Sequence, residues 1–320
     1  MINTLKRIKI LTEAYNLFNH NKLSYLKPLY MKYGLKKQFF QSISSKDFPR
    51  NESQNLPLFD KVNSADELPN KLSFKALPEG IKKELLSWSN EGFALLKDFF
   101  SENEVEFINE KINELAKSNK LQIREERKMM FAVDHSKDLR SMASPDRLEK
   151  ILELLMGCPI SLFQSVNFFK GSEDPAHSDF IHMTTYPYGY LIAAWIALED
   201  IDLENGPLFY YPRSHKLNYI MNGDFDHGGN KWLLGKSYKK KYSDKIDTIL
   251  SENKFEKKYF TAKKGDVLIW HANLLHGGSK VIDPERTRKS MVMHYFGKDV
   301  IRYHEVSQRP SFSNELSQNK

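Results

Sequence analysis

The chain has 320 residues, 28% of them charged and 40% hydrophobic, with a net charge of +7 and one cysteine. These values suit a globular protein with room for a sizeable core, and they exclude a disulfide framework. No apolar run nears the ~20 residues that span a bilayer, and the N-terminus shows no signal-peptide pattern, so the expected location is a reducing cytoplasm.

The charge is uneven. Residues 1–50 carry ten Lys or Arg against Glu13 and Asp47, a net of +8, which leaves −1 for the other 270 residues. A nearly neutral body is not the pattern of a nucleic-acid binder. Residues 2–19 place Leu5, Ile8, Leu11, Tyr15 and Phe18 at helical steps, and Tyr30–Phe40 mixes aromatics with Lys32, Lys36 and Lys37. A basic amphipathic segment of this kind either packs its apolar face on the body or makes peripheral contact with the inner membrane face. Residues 41–70, rich in Ser, Asn, Asp and Pro, read as a connector. The expected division is a basic helical extension and linker over 1–60, a main domain over 61–304 and a flexible tail over 305–320.

Further along, 92–97 reads as a strand. Ser101 and Glu104 form a capping-box signature that opens a helix with Val105, Ile108, Ile112 and Leu115 as its apolar stripe. Ser144-Pro145 supplies an N-cap and first helical residue for a second helix to about Met156. Beyond Gly157 the pattern changes to strands over 160–170, 177–183, 190–198, 207–211, 257–261, 266–270 and 288–296. Early helices followed by many punctuated strands predict a mainly β sandwich or barrel with flanking helices. The stretch 217–256, with Gly223, Gly228 and Gly229, is a candidate mobile cover.

His177 and Asp179 stand two apart, and His276 follows 97 positions after Asp179. Side chains at i and i+2 of a strand share a face, so both ligands aim one way and Ser178 the other. Two His and one carboxylate on one side of a metal leave its other positions open, the ligand pattern of non-haem Fe(II) oxygenases. Arg288, in the last of these strands, supplies a guanidinium for a dicarboxylate co-substrate. Arg286 competes for that role, since alternation does not separate positions two apart.

These pieces occur in an order that resembles the phytanoyl-CoA dioxygenase family of Fe(II)/2-oxoglutarate oxygenases. The matching stretches are Glu91–Lys97, His177-Ser-Asp179, Ala194–Asp200, Glu204–Leu208, Tyr211–Lys216, Lys264–Trp270, Leu275–Ser279 and Arg288–Ser290. The resemblance covers about 88–300 and implies a double-stranded β-helix, the cupin-like jelly-roll. It implies His177, Asp179 and His276 as iron ligands, and Arg288 as the partner of the far carboxylate of 2-oxoglutarate, with Ser290 adding a hydroxyl. Trp195 falls at a pocket tryptophan, Glu199 at an acidic position near it, and Gln164 or Asn167 bonds the co-substrate. The family's upstream lysine has only Lys128 as a candidate. Bound halide takes the carboxylate's place in related halogenases, so Asp179 argues for hydroxylation.

The expected function is therefore an Fe(II)- and 2-oxoglutarate-dependent dioxygenase that uses O2 and hydroxylates a small-molecule or lipid-linked substrate. The rivals are a catalytically silent jelly-roll binding an anionic ligand, and a cupin-like hydrolase or isomerase using another divalent metal. His182, His215, His271 and His294 read as hydrogen-bonded structural histidines. His227 beside Asp226 reads as solvated.

Overall fold

A computed structural model of the chain describes residues 5, 7–49, 56–118, 120–312. The architecture is the expected jelly-roll with helices on one side. Its main sheet has the strand order β1-β9-β6-β11-β4-β3-β2. The strands are β1 (Phe93–Leu96), β2 (Ile123–Arg124), β3 (Lys128–Met130), β4 (Ile160–Phe168), β6 (Leu191–Ala197), β9 (Val267–His271) and β11 (Ser290–Gly297). A smaller sheet, β10-β7-β8, pairs β7 (Leu208–Tyr210) with β10 (His276–Gly278) and β8 (Lys258–Phe260). A third sheet joins β5 (Thr184–Tyr186), β12 (Ile301–His304) and β13 (Arg309–Pro310). All pairings are antiparallel.

Alternation along the central strands separates two cores. Ile192, Ala194, Ile196, Val267, Ile269, Met291 and Met293 face the helices. Ala193, Trp195, Ala197, Leu268, Trp270 and Val292 face the smaller sheet and meet its Leu208, Tyr210 and Phe260. One helix, Glu102–Lys117, begins at the predicted capping box: Ser101 N–H donates to the Glu104 carboxylate at 2.8 Å. It buries Val105, Ile108, Ile112 and Leu115, each contributing about 1.5–3 kcal/mol of transfer free energy. The next long helix, Asp146–Met156, starts one residue later than the sequence implies. Ser144 does not cap it. Its hydroxyl binds Glu149 at 2.6 Å and meets the Tyr295 hydroxyl at 2.8 Å, which ties the helix start to the sheet.

The N-terminal extension lies against the third sheet. Leu23, Leu26 and Ile43 are buried with Phe180, Tyr188 and Tyr303, and Phe48 stacks on Tyr186 at 4.0 Å. The expected helix over 2–19 is realised as α1 (Lys9–Phe18); residues 1–4 and 6 lie outside the described set. Most of its apolar face is exposed, with Tyr15 meeting the Phe312 ring edge-on at 6.0 Å. Thr12 and Asn16 are the residues it buries.

The flexible tail does not begin at 305. Glu305 is fully buried and accepts hydrogen bonds from Ser45 and Asn222, and Ile43 N–H donates to the Gln308 carbonyl. Residues 313–320 lie outside the described set. The 217–256 stretch carries a helix the sequence reading missed, α2 (Tyr238–Asn253), anchored by buried Tyr242 and Ile246.

Candidate metal centre

His177 and His276 lie opposite each other in an isolated antiparallel bridge, each backbone N–H donating to the other's carbonyl at 2.9 Å. Each imidazole also lies 2.9 Å through Nδ1 from a carbonyl two residues back in its own chain, that of Pro175 or of Leu274. A carbonyl only accepts, so Nδ1 carries the proton and the Nε2 lone pair is left for a metal. The two Nε2 atoms are 3.8 and 3.7 Å from Oδ1 of Asp179. All three donor atoms lie within 4.8 Å of one another.

The strand expected over 177–183 does not form. Ser178 is extended, which is enough for His177 and Asp179 to share a side. At Asp179 the chain turns into a short 3-10 helix, Asp179–Ile181, because the N–H groups of His182 and Met183 both donate to the Asp179 carbonyl. Ser178 points away, its N–H donating to the Tyr242 hydroxyl of α2 at 3.1 Å.

Asp179 is held through its other oxygen. Trp270 Nε1–H donates to Oδ2 at 2.8 Å, and His294 Nε2 lies 3.3 Å from it. Oδ1 is the atom turned toward the two ligand imidazoles. Burial alone raises the pKa of this carboxyl, but His276, His294 and His177 outweigh it and hold the group well below the usual carboxylate range. Burial pushes His276 down to about 4, which keeps its ring neutral at pH 7. The glycines after His276 are required by packing. A Cβ at Gly277 would lie 2.5 Å from the Phe209 ring and 2.7 Å from the Asp174 carbonyl.

His177, Asp179 and His276 line a cavity of about 490 Å³ together with Gln164, Trp195 and Arg288. Arg288 is 2% exposed. Its Nη1 donates to Ser290 Oγ at 2.5 Å, and its guanidinium lies 4.9 Å from the Phe168 ring centre and 5.7 Å from that of Trp195. Its Nε has no hydrogen-bond partner, and no ion pair reaches it among the described residues. Burial lowers its pKa to about 10, so it stays charged at neutral pH. Arg286 points elsewhere, paired with Asp202 and Glu204. Glu199 sits outside the cavity and accepts from Lys289 N–H at 2.6 Å and Thr287 Oγ1 at 2.8 Å, which clamps both neighbours of Arg288.

Gln164 lines the cavity, 3.3 Å from His294 Nδ1. Asn167 does not. The register pairs it with Met291, on the helix-facing side of the sheet, so it is fully buried away from the metal set. Lys128 lines the cavity with Nζ 3.6 Å from Asp174. His215 and His271 are structural, bonded to the Ser89 carbonyl and to Asp60. His227 is not solvated; it is 3% exposed and stacks on Phe225. His182 and His304 form part of the cavity wall with ring centres 5.2 Å apart. His304 went unnoticed in the sequence, because only β12 pairing with β5 brings it there.

The donor set fits one divalent cation: two imidazoles and a carboxylate converge from one side, each fixed through its other polar atom. The buried guanidinium with an unpartnered Nε fits an anionic co-substrate in the same cavity.

Residues 88–289 match the family model for phytanoyl-CoA dioxygenase. The ectoine dioxygenase of Sphingopyxis alaskensis is 26% identical over 223 residues, which is 63% of this chain and 71% of that protein. Phytanoyl-CoA dioxygenase domain-containing protein 1 of Mus musculus is 25% identical over 168 residues, 50% of this chain and 53% of its own length, so the chain spans about half of that relative. Among solved structures, the non-heme alpha ketoglutarate dependent carbocyclase SnoK from nogalamycin biosynthesis superposes with a TM-score of 0.58 at 18% identity, over 77% of this chain and 92% of that one. That last likeness is one of fold.

Proposed function

The chain belongs to the phytanoyl-CoA dioxygenase family, and on that premise we propose that it is an Fe(II)- and 2-oxoglutarate-dependent dioxygenase that hydroxylates an unactivated C–H bond. The observation that carries this reading is one cavity holding both a His177, Asp179, His276 donor set and a buried Arg288 without an ion pair. When bound, the metal and its co-substrate supply the oxidising chemistry: O2 is consumed, 2-oxoglutarate becomes succinate and CO2, and one oxygen atom enters the substrate.

The protein's part is to bind, orient and exclude water. His177 and His276 present Nε2 in a fixed tautomer. Trp270 and His294 hold one oxygen of Asp179 and leave the other for the metal. Arg288 and Ser290 receive the far carboxylate of 2-oxoglutarate, flanked by the Phe168 and Trp195 rings. Because Asp179 occupies the third ligand position, no place is reserved there for a halide, and hydroxylation is the expected outcome. The remaining wall sets Met130, Phe131, Phe163 and Met183 beside His182 and His304, and Arg124, Lys128 and Asp174 also line it. Burial lowers His182 to about 3 and His304 to about 4, so both are neutral hydrogen-bonding groups at pH 7. Such a wall suits a small-molecule or lipid-linked substrate that combines an apolar segment with a polar or charged group.

The test is succinate formation by protein reconstituted with Fe(II) and supplied with 2-oxoglutarate, O2 and candidate substrates. The reading expects succinate in wild type and none above background in Asp179→Ala. Equal succinate in both would remove it.

A further inference from the structure

Helix α1 is inside out. The residues it turns toward the protein are polar: Thr12 and Asn16 are buried, Asn16 donates to the Phe40 carbonyl at 3.0 Å, and Glu13 accepts from Ser42 N–H at 3.0 Å. The residues it turns to solvent are Ile10, Leu11, Ala14, Tyr15, Leu17 and Phe18, with Phe18 88% exposed. A surface helix ordinarily does the reverse, and contiguous exposed apolar faces of this kind mark binding surfaces. The orientation is fixed, because the polar face is hydrogen-bonded and the Lys9 N–H donates to the Trp232 carbonyl at 3.0 Å.

Its surroundings are basic. Exposed Trp232, with Lys231 against its ring, adjoins the start of the helix. At the other end Lys22 lies over Phe312, whose ring contacts Tyr15. A groove of about 480 Å³ along the Ile10 side is lined by Lys9, Lys37, Lys46 and Lys231 against Glu13 and Asp47. Burial and the neighbouring Lys37 lower the Lys9 pKa.

We propose that α1 docks on an anionic lipid bilayer, its outward face lying among the headgroups and first acyl carbons while the exposed Lys22 and Lys231 at its two ends meet lipid phosphates. The helix is about 15 Å long, too short to cross a bilayer, and no described helix is long and apolar enough to span one. An in-plane apolar face with a lysine rim is the form that interfacial binding takes. Charge favours lipid over a second copy: an isologous contact would bring the Lys22 and Lys231 rim of one copy against the same rim of the other. This inference is independent of the catalytic reading, since a chain without turnover would bind the same surface.

The experiment is sedimentation of the full chain with vesicles of phosphatidylcholine alone or mixed with phosphatidylglycerol. Binding is expected only with phosphatidylglycerol, weakening with salt. Lys22→Gln and Lys231→Gln each lower the partition coefficient about fivefold, and Leu11→Glu with Phe18→Glu lowers it at least about tenfold. These side chains are exposed, so circular dichroism is expected to be unchanged. No binding to either vesicle, or undiminished binding of the Leu11→Glu, Phe18→Glu chain, overturns the proposal. So does a dimer that these substitutions dissociate with no vesicle binding in wild type, which would assign the face to a second copy.

Discussion

The indole N–H of Trp270 donates to Oδ2 of Asp179 across 2.8 Å, so the carboxylate of the metal set is aimed by a side chain from a neighbouring strand rather than by its own backbone. Trp270→Phe keeps an aromatic ring, though a smaller one, and deletes the donor. Loss of such a support typically lowers metal affinity about 10–100-fold. Fe(II) titration followed calorimetrically in the absence of O2 is expected to show that loss, with the fold intact by circular dichroism.

Arg288 carries a buried charge that has no ion pair among the described residues. Arg288→Met removes that charge, and the chain without co-substrate gains about 1–2 kcal/mol of stability. The same variant loses the thermal stabilisation that 2-oxoglutarate gives wild type through binding the folded state. Arg286→Gln, on the surface, changes neither. Thermal melts with and without 2-oxoglutarate distinguish the two arginines.

Glu199 positions Arg288 by holding Lys289 and Thr287 on either side of it. Glu199→Gln keeps one acceptor and loses the charge. The expected result is a KM for 2-oxoglutarate raised about three- to tenfold, the range of a weakened hydrogen bond to a charged group. Fe(II) affinity stays unchanged, which separates positioning of Arg288 from general damage to the site.

Gly277→Ala places a methyl group against the Phe209 ring and the Asp174 carbonyl. Overpacking of this kind costs about 1–3 kcal/mol. The shift falls on β10, which carries His276, so both Tm and Fe(II) affinity are expected to drop together, measured by thermal melts and metal titration.

Much of the centre was legible because its signals are local or ordered. The His-x-Asp pair, the distant His before two glycines and the arginine twelve residues beyond His276 each carry a chemical reason for their place. Between the alternatives Gln164 and Asn167, β4 alternation decides: Gln164, Val166 and Phe168 share the cavity side, and Asn167 takes the other. Trp270 and His294 were visible as residues, but their contact with Asp179 depends on the β9, β6 and β11 register. For α1, periodicity gives the helix and its stripe. It does not say which face packs, and here polar bonds from Asn16 and Glu13 decide that.

The central claim is that His177, Asp179, His276 and Arg288 together hold Fe(II) and 2-oxoglutarate. Anaerobic addition of Fe(II) and then 2-oxoglutarate, followed by visible absorption, tests it most directly. A metal-to-ligand charge-transfer band is expected in wild type, absent in Asp179→Ala and requiring far more 2-oxoglutarate in Arg288→Met. No band in wild type, or an undiminished band in Asp179→Ala, contradicts the account.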